Sequence, residues 1–211
     1  MKRDLYLIGG GGHCGSALDV IELNGAFNVR GIVDLPEKQG DIVCGVKIVA
    51  TDDDLEKLVT DTTSFLITLG FIESPVMRVR FYEILSSMKA SMPTIASPRA
   101  HISRHAEIGP ATIVMHDAMV NAAAVVGENC IINSKALIEH DAVVCAHSHI
   151  STGAIVNGEC RVGAKSFVGS GAVLVHGVSV AEGTVVGAGT VVHKDIIEPG
   201  VYAGNPFKRI R

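Results

Sequence analysis

The sequence is poor in aromatic and charged residues. It has no tryptophan, and aromatic and charged residues make up 4% and 19% of its 211 positions. The net charge of −4 gives no basic surface of the kind that binds nucleic acid. No apolar run approaches the roughly 18 residues of a transmembrane helix, and residues 1–4 lead into a predicted strand rather than a signal peptide. We therefore expect no nucleic-acid partner and no membrane insertion.

Cysteine is also scarce. There are five, an odd number, without C-x-x-C or Cys/His finger spacing. Cys130 and Cys160 fall in a column of small residues described below, so we predict that they are buried and unpaired. The histidines show no zinc-site spacing. These patterns predict a cytoplasmic protein without a metal.

A six-residue repeat organises the C-terminal half of the chain. A branched aliphatic residue stands at every sixth position: Ile102, Ile108, Val114, Val120, Val126, Ile132, Ile138, Val144, Ile150, Val156, Val162, Val168, Leu174, Val180, Val186 and Val192. A small residue lies two positions before almost every aliphatic, Val178 being the bulky exception. Six is neither a helical nor a simple strand period. A short fixed period predicts a solenoid, in which stacked units bury a shared core.

This repeat resembles that of the hexapeptide-repeat acyltransferases. The resemblance implies a left-handed parallel β-helix with three hexads per coil, about five coils in all, and residues eighteen apart stacked on one edge. It also implies a homotrimer with active sites between neighbouring helices.

The first 96 residues have a different pattern. Predicted strands at 5–8, 29–33 and 64–68 alternate with predicted helices at about 13–23, 52–59 and 75–87, which is typical of a parallel sheet. The fold class is therefore α/β + β, a small Rossmann-like βαβαβα domain followed by the β-helix. We place the domains at residues 1–96 and 97–195, with a C-terminal tail at 196–211.

A glycine turn follows the first predicted strand. Gly10, Gly12 and Gly15 match G-x-G-x-x-G, and Asp34 stands where a ribose-binding acid is expected. The pattern alone is typical of a nicotinamide oxidoreductase, but only one mononucleotide-binding half is present. Glycine and a helix N-terminus also suit a diphosphate. We favour a nucleotide-linked substrate, with a glycine turn that binds no ligand as the alternative.

The combination of the two halves resembles the sugar O-acyltransferase family of the NeuD and PglD type. This family includes UDP-4-amino-sugar N-acetyltransferases and sialic acid O-acetyltransferases. The resemblance covers essentially the whole chain and rests on residues 9–13, 138–141, 148–151 and 204–208. It implies that Gly11, Gly12 and His13 contact the diphosphate-sugar, with Asp34 and Gly70 near the base and ribose. Leu35 and Phe71 depart from the pattern and leave the identity of the base open.

His140 is the candidate general base. It follows the inward-pointing Ile138 by two positions, near a predicted corner, and lies between Glu139 and Asp141. A histidine titrates near neutral pH, and a bonded carboxylate raises its basicity and fixes its tautomer. The resemblance assigns the base to His140 and its partner acid to Asp141.

The acetyl-CoA contacts are assigned in part from spacing. Gly158 lies eighteen residues after His140, so its N–H could polarise the thioester carbonyl one coil away. The resemblance adds His149, Ser170 and Ala188 as acetyl-CoA contacts. The other β-helix histidines, namely His101, His105, His116, His147, His176 and His193, are interpreted as surface residues.

We therefore expect an acetyltransferase that moves acetyl from acetyl-CoA to the 4-amino group of a UDP- or GDP-linked amino-deoxysugar. An O-acetyltransferase of sialic acid or a related acid is the alternative enzyme. A non-catalytic hexapeptide-repeat scaffold is the alternative from another class.

Overall fold

The structure, a computed structural model, describes residues 2–211. Within that range no helix has the length and apolar character needed to cross a membrane. The N-terminal part alternates strands with helices, and two 3-10 turns cover Pro36–Lys38 and Asp52–Asp54. Its elements are β1 Arg3–Ile8, α1 Gly12–Asn24, β2 Phe27–Val33, β3 Ile42–Val43, β4 Val46–Ala50, α2 Leu55–Leu58, β5 Thr63–Ile67 and α3 Val76–Ser87.

These strands form one sheet in the order β3-β4-β2-β1-β5. Strand β1 lies between β2 and β5 and runs parallel to both. The chain therefore leaves β1 toward one side and returns on its other side, and the ends of β1 and β5 border a crevice. Ligands of open parallel sheets bind in such a crevice. The antiparallel hairpin β3–β4 was not predicted from the sequence.

The rest of the chain winds as a parallel β-helix of very short strands. Within each repeated strand the second residue points inward and is buried, as at Ile138 and Val156. The strands are β6 Ile95–Ala96, β7 His101–Ile102, β8 Glu107–Ile108, β9 Ile113–Val114, β10 Met119–Val120, β11 Val125–Val126, β12 Ile131–Ile132, β13 Leu137–Ile138, β14 Val143–Val144, β15 His149–Ile150, β16 Ile155–Val156, β17 Arg161–Val162, β18 Phe167–Val168, β19 Val173–Leu174, β20 Ser179–Val180, β21 Val185–Val186, β22 Val191–Val192, β23 Val201–Ala203 and β24 Lys208–Arg209.

Three sheets form the sides of the β-helix. The junction face contains β6, β9, β12, β15, β18, β21, β23 and β24. The aliphatic face contains β7, β10, β13, β16, β19 and β22, and the mixed face contains β8, β11, β14, β17 and β20. From β6 to β22 each strand pairs in parallel with the strand eighteen residues away, for example Leu137 with Ile155. The predicted fold class, a Rossmann-like part followed by a hexapeptide-repeat β-helix, is confirmed.

The corners of the coils need a left-handed backbone. Fourteen successive corner residues have φ between +52° and +75°, at positions 111, 117, 123 and so on to 189. Glycine, asparagine and aspartate tolerate this conformation best, whereas β-branched residues do not. The column of small residues, for example Ala142, lies directly after the left-handed residue and is buried inside the coil.

The N-terminal part packs on the junction face. Ile95, Ile113 and Ile131 share one buried cluster with Leu18 and Ile21 of α1. Because these contacts are apolar and fully buried, the two parts of the chain pack as one continuous core here.

A fully buried arginine joins the same two parts. Arg78 of α3 is 1% exposed, and its guanidinium donates only to backbone carbonyls. The acceptors are Ile67 and Leu69 at the end of β5, and Asn129, Ala111 and Cys130 in the β-helix. Burial lowers the pKa of Arg78 to about 10, so the side chain remains charged at neutral pH. These bonds link the crevice edge of the sheet to the coils.

Replacing Arg78 by leucine should destabilise the protein. The change leaves several buried carbonyl oxygens without a donor, so we expect a loss of about 3 kcal/mol or more in the free energy of unfolding. Arg80→Leu, two residues away and exposed, is the matched control with an expected change within about 0.5 kcal/mol. Urea unfolding followed by circular dichroism measures both. Equal losses in the two variants would contradict the role of Arg78.

Candidate active site

The glycine turn lies at the crevice between β1 and β5. Gly9 has φ +98°, and a side chain there would collide with Leu69. In contrast, a Cβ at Gly11 or Gly12 would meet nothing within 4 Å, so the backbone at the start of α1 is open to a ligand. A helix N-terminus that is open in this way favours an anion.

Asp34 holds this turn from the end of β2. Its carboxylate accepts from the N–H groups of Gly10 and Leu35, both at 2.7 Å, and pairs with Lys38 at 3.2 Å. Burial opposes ionisation of Asp34, but these hydrogen bonds outweigh it and hold its pKa below the usual value. Asp34, Lys38 and Asp52 line a cavity of about 240 Å³ together with Gly11 and apolar side chains.

His13 and Gly70 lie on the other side of the turn. A Cβ at Gly70 would be 3.4 Å from that of His13, so the two are in direct contact. Burial, with the charge of Arg78, lowers the pKa of His13 to about 3, so the ring is neutral. Its Nε2 is buried and has no hydrogen-bond partner within residues 2–211. A buried polar atom of this kind needs an explanation, and a ligand group at the crevice would provide one.

His149 lies where the two parts of the chain meet. The side chain is almost fully buried, and its Nδ1 donates to the carbonyl of Phe71 at 2.8 Å. Its Nε2 accepts from Asn133 at 3.1 Å. Burial lowers the pKa of His149 to about 4. Both ring nitrogens are therefore engaged inside the chain, and His149 lies with His13 rather than with His140.

His140 is on the corner between β13 and β14, where the aliphatic and mixed faces meet. Its Nδ1 lies 2.8 Å from Asp141 Oδ2, and its side chain is 54% exposed. The bond to Asp141, followed by smaller charge effects, raises the pKa of His140. Glu139, the other neighbouring acid, accepts from Asn121 Nδ2 and the His140 N–H instead of from the ring. Asp141 therefore fixes the tautomer that leaves Nε2 free.

Gly158 stacks one coil from His140, as the spacing predicted. A Cβ at Gly158 would lie 2.9 Å from His140 Nε2 and 3.2 Å from His176 Nδ1. Across residues 2–211 the Gly158 N–H donates to no protein acceptor. The arrangement places a free N–H donor beside a histidine that has a free nitrogen. A carbonyl group held there could be polarised while a neighbouring proton is removed.

Ser170 and Ala188 are exposed on a third corner, where the junction face turns into the aliphatic face. Ser170 Oγ lies 3.0 Å from Ser151 Oγ, and the Ser170 carbonyl accepts from the Gly189 N–H.

One chain therefore brings Gly11, Gly12, His13, Asp34, Gly70 and His149 together. It places His140, Asp141 and Gly158 at one edge of the aliphatic face, and Ser170 and Ala188 at the other edge.

Two histidines interpreted as surface residues are structural. His147 is half-buried, bonds to Asn129 at 3.0 Å, and packs edge-on against Tyr82. His116 bridges Ser97 and Asp19 at 2.7 and 2.6 Å. The surface interpretation of these two was wrong, because it ignored the N-terminal part packed on the β-helix.

Comparisons with known proteins agree with this geometry. The family model for the PglD N-terminal domain matches residues 4–85. The acetyltransferase domain of PglB from Neisseria gonorrhoeae FA1090, solved in complex with acetyl coenzyme A, is 30% identical over 100% of both chains, with a TM-score of 0.91. The chain belongs to the PglD-type family of sugar acyltransferases. The family predicted from the sequence is thereby confirmed.

Two further solved structures are similar to this PglD-type protein. PerB from Caulobacter crescentus, in complex with CoA and GDP-perosamine, is 28% identical, with 99% of this chain and 97% of that chain covered and a TM-score of 0.91. WeeI from Acinetobacter baumannii AYE is 18% identical, with 98% and 99% covered and a TM-score of 0.86, a likeness of fold alone. No curated protein sequence matches the chain.

Replacing Asp141 by asparagine should lower the pKa of His140. The ring loses the carboxylate that stabilises its protonated form, so its titration moves down toward the ordinary value near 6.5. NMR titration of the imidazole carbons measures this directly. Glu139→Gln is the matched control and should move the pKa less, because Glu139 does not bond the ring. An unchanged His140 titration in Asp141→Asn would contradict the assigned pairing.

Proposed function

We propose that this protein is an acetyl-CoA-dependent acetyltransferase that acts on the 4-amino group of a nucleotide-linked amino-deoxysugar. The observation that carries the proposal is the His140–Asp141 pair beside the free N–H of Gly158. The similarity to PglB, solved with acetyl-CoA, and to PerB, solved with CoA and GDP-perosamine, supports both substrates.

Acetyl transfer needs one general base and one hydrogen-bond donor to the oxyanion. The neutral amine attacks the thioester carbonyl, and His140 Nε2 accepts the proton that the nitrogen loses. The Gly158 N–H stabilises the oxygen, on which negative charge grows in the transition state. Asp141 stabilises the imidazolium formed at His140. The attack gives a tetrahedral intermediate, and breakage of its C–S bond releases CoA and leaves the amide.

A cysteine nucleophile is disfavoured. Burial raises the pKa of the Cys130 thiol to about 12 and raises that of Cys160, so neither forms a thiolate readily. All five cysteines are free, which suits a reducing compartment such as the cytoplasm. Direct transfer from acetyl-CoA to the acceptor needs no such intermediate.

The nucleotide-linked acceptor fits the crevice at the glycine turn. The open backbone of Gly11 and Gly12 at the start of α1 suits a diphosphate, and Asp34 lines the adjoining cavity. The unpartnered Nε2 of buried His13 offers one further contact. Because the pKa of His13 is far below neutral, that contact is a neutral hydrogen bond rather than an ion pair.

The geometry of a single chain supports an assembly of copies, and the resemblance to hexapeptide-repeat acyltransferases implies that it is a homotrimer. The N-terminal part covers the junction face, whereas His140 lies on the corner between the other two faces. A neighbouring copy would therefore have to bring its glycine turn to this corner. The aliphatic face offers the surface for this contact, since its strands present outward the side chains of Met119, Leu137, Ile155, Val173 and Val191.

The direct test is product mass after incubation with acetyl-CoA and an acceptor panel. The panel holds UDP-, GDP- and dTDP-linked 4-amino-sugars and free sialic acid. We expect one nucleotide sugar to gain one acetyl group, and His140→Ala to lower kcat by about 10²- to 10⁴-fold. Acetylation of sialic acid alone would favour the O-acetyltransferase alternative. No mass change in any acceptor would favour the non-catalytic scaffold.

The assembly has its own test. A charge at the centre of the aliphatic face would be buried unpaired between copies, so Leu137→Glu should convert trimers to monomers and abolish acetylation. Arg161→Glu, on the exposed mixed face, is the matched control and should leave the trimer intact. Analytical ultracentrifugation distinguishes the species. A wild-type protein that sediments as an active monomer would refute the trimer.

A further inference from the structure

His176 belongs to the same corner column as His140 and Gly158. The column runs at eighteen-residue spacing through Arg104, Ala122, His140, Gly158 and His176. Backbone bonds fix this stacking, because the Glu159 N–H donates to the His140 carbonyl at 3.2 Å and the Gly177 N–H to the Gly158 carbonyl at 2.9 Å. The two histidines therefore lie one coil to either side of Gly158.

The two rings converge on the space above Gly158. The position that a Cβ would occupy is 2.9 Å from His140 Nε2 and 3.2 Å from His176 Nδ1. Both side chains are more than half exposed at the same edge of the β-helix. A Cβ would lie within 3.0 Å of the His140 ring, so glycine alone fits here without a shift; we call the space outside Gly158, with a ring nitrogen on each side, the gap.

The two histidines use opposite ring nitrogens. His140 places Nδ1 on Asp141 and directs Nε2 to the gap, whereas His176 places Nε2 3.8 Å from Glu159 and directs Nδ1 to the gap. Glu159 lies on the Nε2 side of the His176 ring, so that Nδ1 faces the gap and is a hydrogen-bond donor there when it carries a proton.

Acyl transfer from a thioester requires two proton movements, one away from the attacking amine and one to the departing sulfur. If the oxygen accepts from the Gly158 N–H and the amine approaches on the His140 side, the remaining side of the gap, next to His176, is left for the sulfur. The amine proton has an acceptor in His140, but in the mechanism above the departing sulfur has no proton donor. A histidine acting as a general acid fills such a role in acyl transfer.

We propose that His176, supported by Glu159, donates a proton to the sulfur of CoA as it leaves; this rests on the proposed acetyl transfer. The N–C bond forms and the C–S bond breaks, while the amine proton passes to His140 Nε2. The proton on His176 Nδ1 passes to the thiolate, so the products are the amide and the CoA thiol. Exchange with water then returns one proton to His176 and removes one from His140.

Coenzyme A itself provides a test that needs no acceptor. At about pH 7.5 a thiol with a pKa near 8.5 is about one-tenth ionised, and an imidazolium beside it raises that fraction several-fold. The ionised fraction of protein-bound CoA is measured from its thiolate absorbance, after the absorbance of the protein alone is subtracted. Its excess is the amount by which this fraction is larger than that of free CoA at the same pH. We expect an excess of thiolate in wild type, a smaller excess in Glu159→Gln, and a still smaller one in His176→Gln, where only His140 remains beside the gap. An equal excess in wild type and His176→Gln would overturn the proposal.

Steady-state kinetics with the acceptor that the panel identifies give the second readout. We expect His176→Gln to lower kcat by at least about tenfold with little change in the KM for acetyl-CoA, because donation to sulfur acts in the transition state. His105→Gln is the matched control, since His105 is an exposed histidine on the same edge, two coils before Asp141. Its kcat should equal that of wild type, and thermal unfolding confirms that all variants are folded.

The two proposals fail in different ways. A wild-type protein that acetylates an acceptor but is unaffected by His176→Gln overturns the role of His176 alone. A wild-type protein that neither binds CoA nor acetylates any acceptor overturns both proposals.

Discussion

Hydrogen bonds between successive coils determine where each corner side chain of this protein lies. Parallel strands stack at about 4.8 Å, so a side chain at one corner has fixed neighbours eighteen residues before and after it. His140 therefore lies next to Gly158, although the two residues are eighteen positions apart in the sequence. The left-handed corner at Asp141 contributes as well, because it turns the carboxylate back toward the ring that precedes it. The β-helix thus fixes the positions of the residues that form the candidate site at this corner.

Arg78 connects this rigid scaffold to the ligand crevice. Its guanidinium binds carbonyls at the end of β5 and in the coils, so the crevice edge cannot shift without breaking those bonds. The same buried charge contributes to the low pKa values of His13 and His149, after burial itself. Two histidines at the junction are thus kept neutral, whereas His140, at the exposed corner, has a raised pKa. One chain therefore holds neutral, hydrogen-bonded histidines at the junction and a more basic, exposed histidine at a corner of the β-helix.

The sequence predicted those features that local patterns encode. The six-residue period fixed the coils and the Gly158 stacking, and strand–helix alternation indicated the parallel sheet. Arg78 was missed because its burial is set by a contact with Asn129, fifty-one positions away, and a charge in a helix ordinarily faces solvent. His147 was misjudged for the same reason, because its burial depends on Asn129 and Tyr82. The β3–β4 hairpin was not predicted at all. His176 could have been found, because its spacing from Gly158 repeats that of His140.

The left-handed corners have an evolutionary consequence. A duplication or deletion that keeps the later corners on their faces has a length that is a multiple of eighteen residues, because another multiple of six rotates every later corner onto a different face. A coil gained between His140 and Gly158 would separate these two residues, whereas one gained after His176 would leave their stacking unchanged. The first coils are fixed as well, because Arg78 and Ile95 join them to the N-terminal part. The length of this solenoid can therefore vary at its C-terminal end without moving the candidate site.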